Sequence, residues 1–76
     1  MKVKELVEKL QALDPELLVV VDGYEGGVKE ASYVELEAIA LNVHKEWYYG
    51  EHETIVVESD EEKYKDVPRA QAAHIG

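Results

Sequence analysis

The chain has 76 residues and no cysteine, so disulfides and thiolate metal sites are excluded. Seventeen Asp and Glu face eight Lys and Arg, a formal net charge of −9 that repels nucleic-acid backbones and argues against direct nucleic-acid binding. The charged start Met1-Lys2-Val3-Lys4-Glu5 leads into no secretory segment, and no apolar run approaches the roughly 20 residues of a membrane span, so one small cytoplasmic domain over 1–76 is expected, with no membrane contact.

Val3, Leu6, Val7, Leu10 and Leu13 recur at helical spacing, with Lys4, Glu5, Glu8, Lys9 and Gln11 between them. The pattern predicts an amphipathic helix whose apolar stripe belongs to the core. Glu5 and Lys9 stand four apart in the favourable order. Asp14-Pro15 ends the helix, because the residue before proline resists the α region. Leu17–Val21 is too short for a buried helix and rich in valine, so it reads as a strand. It discharges into Asp22-Gly23-Tyr24-Glu25-Gly26-Gly27, where glycine supplies the positive φ that tight turns need. Residues 28–32 form a connector with no assignable pattern.

From Tyr33 to Val43 the pattern has period two, with Val34 and Leu36 on one face and Glu35 and Glu37 on the other. Beyond Ala38 the apolar set moves to Ile39, Leu41 and Val43. That slip predicts a bulge near Glu37-Ala38, or a strand covered on both sides toward its end. Either way the strand is long and central. His44 to Glu53 is a loop, and Thr54–Val57 is a short β-branched strand. Ser59 and Glu62 have capping-box spacing, so a short second helix is expected near 60–66, stopped by Pro68. The tail from Arg69 is open between helix, last strand and frayed end.

These elements predict an α+β fold, one N-terminal helix packed on a three- or four-stranded antiparallel sheet. One helix covers one face of a sheet, yet Leu17–Val21 is apolar at both parities. The other face calls for the tail or for a second copy. The tail has little apolar material, so a homo-oligomer is the expectation.

Two stretches carry distinctive chemistry. The glycine loop lacks the spacing and lysine of a phosphate-binding loop, and one Lys29 nearby does not supply them. Its two carboxylates, Asp22 and Glu25, are too few for a calcium loop. What remains is either a plain turn or a backbone that a ligand can approach closely. The second stretch, His44 to His52, sets Trp47, Tyr48 and Tyr49 in a row. They could close the end of the core, or stand exposed as a stacking platform or interface anchor. His44 and His52 with Glu51 or Glu53 match no zinc spacing, so neither a metal nor a cofactor is expected. Ser32 and Ser59 lack a histidine-plus-acid context and no cysteine is present, so the chain does not read as an enzyme.

Val3-Lys4-Glu5-Leu6-Val7-Glu8-Lys9-Leu10, then Leu13-Asp14-Pro15, then Val19 to Gly27, resembles a group of small accessory proteins encoded by phages and bacteria. Ala40-Leu41-Asn42-Val43 and Glu46-Trp47-Tyr48-Tyr49-Gly50 are similar to its second signature stretch, so the likeness covers about residues 2–58. The resemblance implies a compact accessory protein of the kind phages use against host defences, and it transfers no residue role.

The leading expectation is a non-enzymatic binding protein that oligomerises and takes a planar, polar, nucleotide-like small molecule. Its site would comprise Asp22, Gly23, Tyr24, Glu25, Gly26, Gly27, Lys29, Trp47, Tyr48, Tyr49 and Arg69. Only Lys29, Lys45 and Arg69 are at hand to meet a phosphate. The alternative is an acidic inhibitor that docks on the basic groove of a host protein, with affinity that falls as salt screens charges beyond about 10 Å at 0.1 M.

Overall fold

The structure, a computed structural model, describes residues 1–76 and divides into two units, Met1–Tyr33 with Ile75–Gly76, and Val34–His74. Its helices and antiparallel strands make the α+β class expected from the sequence. The strands are shared between a two-stranded and a three-stranded sheet, where the sequence pointed to a single one. Neither helix is long and apolar enough to cross a membrane.

In the first unit, α1 spans Val3–Gln11. It ends before Asp14-Pro15 because the Leu13 amide drops back to the Leu10 carbonyl at 3.0 Å, a tightened last turn. Asp14 then builds its own turn: its Oδ1 accepts the Glu16 amide at 2.9 Å and its carbonyl accepts the Leu17 amide at 3.1 Å. The hairpin that follows pairs β1, Val20–Asp22, with β2, Val28–Glu30, setting Val21 opposite Lys29. The strand therefore starts three residues later than the valine run predicts, and the patternless connector supplies its partner. The amide of Ala31 reaches the Val19 carbonyl at 2.8 Å and carries the ladder one step further. None of the α1 residues is buried, so the stripe that reads as core in the sequence lies open along Val3, Val7 and Leu10. At the unit's last residues, Tyr33 and Gly76 exchange main-chain hydrogen bonds at 2.9 and 3.1 Å.

The second unit centres on β3, Val34–Ala40, flanked by β4, Glu53–Thr54, and β5, Arg69–Ile75, whose final residue falls in the first unit. Ile39 faces Thr54 in the antiparallel β3–β4 ladder, and the Leu41 amide donates to the Pro68 carbonyl at 2.9 Å beside β5. The expected central strand is thus present, and the tail resolves as its edge neighbour. An edge strand adds hydrogen bonds and covers no face. The shift of apolar parity near Ala38 marks no bulge but cover on both faces toward the strand's end, where Glu37, Ala38 and Ile39 are half-buried and Ala40 is buried. Val34, Leu36, Ala38 and Ala40 keep one face, the strand stops at Ala40, and Asn42 (φ 54°) turns the chain away.

Short α2, Glu58–Lys63, starts two residues before the capping-box reading and is capped differently. Asp60, rather than Ser59, reaches back, its Oδ2 accepting the Val56 and Val57 amides at 3.2 and 3.3 Å. Tyr64 follows the helix and meets Ala40 and Ile55 in a small core, with Ala38, Val43 and Val67 packed around it.

Candidate functional site

The glycine loop closes the β1–β2 hairpin. The Gly23 amide donates to the Gly27 carbonyl at 3.0 Å, and a Cβ on Gly23 would overlap the Gly26 carbonyl oxygen. Gly26 and Gly27 carry φ of 147° and 63°, conformations that side-chain-bearing residues rarely take. Turn geometry therefore accounts for all three glycines. At the tip Tyr24 is 99% exposed. Strand alternation sets Lys29 on the face of Val21 and Asp22 on the opposite one, so this lysine does not offset that carboxylate.

The aromatic loop joins β3 to β4 and its base is pinned. The Glu51 carbonyl accepts the amides of Val43 and His44 at 2.8 and 3.1 Å, and the Asn42 amide donates to His52 Nδ1 at 3.0 Å. At the tip, the Tyr49 amide donates to the Glu46 carbonyl at 3.1 Å, closing a turn over Trp47 and Tyr48. The rings form a chain of tilted and edge contacts. Trp47 meets Tyr48 at 5.7 Å and 89°, Tyr48 meets Tyr49 at 5.1 Å and 44°, and Tyr49 meets His44 at 5.2 Å and 30°. Trp47 is 93% exposed, which sets aside the reading in which it closes the core. Edge and tilted contacts are the favoured geometry for aromatic pairs and hold the group together as a unit. His44 is the member the sequence reading left out of the site. A histidine five residues before a tyrosine carries no pattern that announces stacking.

Of the cations, Arg69 at the start of β5 is engaged: Nη1 bonds Glu61 Oε2 and Nη2 the Glu61 carbonyl. Asp22 to Gly27 and Lys29 belong to the first unit, whereas Trp47, Tyr48, Tyr49 and Arg69 belong to the second. The histidines bind single acids, His44 with Glu53 at 3.4 Å, His52 with Glu51 at 3.5 Å and His74 with Glu37 at 2.8 Å. No three histidine or acidic side chains converge on a cation position. Glu37, Glu53 and His74 line a shallow hollow of about 200 Å³ beside Ile39 and Thr54, in which those acids are already paired.

A larger, apolar groove of about 620 Å³ lies in the first unit, between α1 and the segment after Asp14-Pro15. No protein-family model, curated protein or solved structure matches the chain.

Proposed function

We propose that this chain is a non-enzymatic, phage-type accessory protein that acts by docking on a host protein, with Trp47, Tyr48 and Tyr49 as the anchor and the surrounding acids as the complement to a basic rim. The observation that carries the reading is Trp47, 93% exposed at the tip of a loop whose base is tied by hydrogen bonds. Tryptophan and tyrosine are the side chains most often found at the energetic centre of protein interfaces, because they bury a large area at small entropic cost. A loop already fixed at its base loses less freedom on binding.

Ring geometry and charge favour docking over capture of a nucleotide-like small molecule. The Trp47–Tyr48 and Tyr48–Tyr49 planes stand at 89° and 44°, so neither pair makes a parallel slot for a flat ring. Small-molecule sites enclose most of their ligand, whereas Trp47 projects. Glu46 and Glu51 flank the rings and outnumber Lys45, so the loop would on balance repel a phosphate, and the guanidinium of Arg69 is held by Glu61.

Affinity capture from bacterial lysate by the native chain and by a Trp47→Ala, Tyr48→Ala variant tests this. A protein held by the native chain at low salt, released at about 0.5 M salt where screening is strong, and not held by the variant is the expected result. Equal retention by both chains, or no retention, contradicts it. Calorimetric heat from a nucleotide that vanishes with Trp47→Ala would instead establish the small-molecule alternative.

A further inference from the structure

The apolar groove of the first unit is lined by Val7, Leu10, Leu13, Leu17, Leu18 and Val19, and none of the six is buried. Leu18 is 72% exposed. Roughly half-uncovered aliphatic side chains in this number offer several hundred Å², close to the about 800 Å² each partner gives to a standard interface. Contiguous apolar surface on this scale marks an association site.

Charge says what fits there. Over residues 1–16, Lys2, Lys4 and Lys9 offset Glu5, Glu8, Asp14 and Glu16 almost one for one, while the rest of the chain sets thirteen acids against five cations. This is the stretch that another equally acidic molecule can approach without strong repulsion. The charges are also ordered on balance: Lys2 and Lys4 outnumber Glu5 at the start of α1, and Asp14 and Glu16 outnumber Lys9 at and beyond its end. Turned end over end, the stretch is its own complement. A two-fold axis produces that arrangement, each basic end meeting the other copy's acidic end, with the helix dipoles opposed.

We propose that the occupant of this groove is a second copy of the chain, held by antiparallel pairing of α1 and the Leu17–Val19 segment across a two-fold axis. The hydrophobic stripe supplies the association, and the Lys4 and Glu16 ends set its direction.

Sedimentation equilibrium on the full chain tests this, with charge exchange as the discriminating arm. The native chain should show twice the 8.6 kDa chain mass at micromolar concentration. Leu10→Gln, at a position already open to solvent, should give the single-chain mass with unchanged circular dichroism. Lys4→Glu alone and Glu16→Lys alone should each weaken the dimer several-fold, and the two together should restore it. Rescue by the double exchange cannot come from a folding defect, so it decides the case even if Leu10→Gln unfolds the chain. A native chain that stays single through the micromolar range overturns the proposal. So does a dimer indifferent to Leu10→Gln, or charge variants whose combination gives no recovery.

Discussion

Asn42 donates its amide to the ring nitrogen Nδ1 of His52 at 3.0 Å, tying the two ends of the aromatic loop. Asn42 itself sits at φ 54°, a left-handed conformation that asparagine tolerates and β-branched residues do not. Asn42→Gly should therefore fold with near-native stability, whereas Asn42→Val should cost about 1–2 kcal/mol. In a domain of this size about 1 kcal/mol lowers Tm by roughly 4–8 °C. Thermal melts of the two variants check this, and equal melting would show that the turn at Asn42 is not required.

Gly23 is a second fixed point. Its missing Cβ leaves room for the Gly26 carbonyl, and its amide holds Gly27. Alanine there must displace backbone rather than a flexible side chain, so Gly23→Ala should cost about 1–3 kcal/mol, the range of a strained backbone position. Tyr24→Ala, at a fully open side chain, should change stability by no more than about 0.5 kcal/mol. Urea titrations of both variants provide the comparison.

The core of the second unit rests on Ala40, Ile55 and Tyr64. Ala40 is wholly covered, so Ala40→Leu overfills the site and should cost about 1–3 kcal/mol or more. Removing the ring with Tyr64→Ala should cost on the order of 3 kcal/mol by leaving a cavity. With so small a core, both changes are expected to abolish a cooperative near-ultraviolet melt.

Arg69 joins β5 to Glu61 of α2 through two hydrogen bonds. The pair is partly exposed, so Arg69→Ala should cost about 1 kcal/mol or less. Arg69→Lys should recover only part of that, since an ammonium cannot hold the carboxylate and the carbonyl with the same fork. Binding through Trp47 should be unaffected by either change, whereas a site that used Arg69 to hold a phosphate would be lost in Arg69→Ala and weakened in Arg69→Lys.

The legibility of the sequence followed the length scale of the forces. The α1 helix, the stop at Asp14-Pro15 and the glycine turn at Gly23 to Gly27 are local, set by side-chain spacing and backbone freedom, and they were readable, whereas the assignment of the α1 stripe to the core was not borne out. The β2 strand was not, because Val28-Lys29-Glu30 has no apolar pattern and is a strand only through its pairing with β1. The same holds for β5, whose alanines favour helix weakly until β3 offers an edge. At Ala38 the period changed because both faces of the strand are covered toward its end, which periodicity alone does not separate from a bulge. In the candidate site, the composition of the aromatic loop was visible, but its exposure and the stacking of His44 on Tyr49 depend on which face the loop presents.

Exposure of Trp47 is the point on which the docking account turns, and the chain reports on it directly because Trp47 is its one tryptophan. The measurement is collisional quenching of its fluorescence by acrylamide in the native protein. Access close to that of free tryptophan and emission at the water-exposed limit are the expected result. A shielded ring with blue-shifted emission in the protein alone would contradict it.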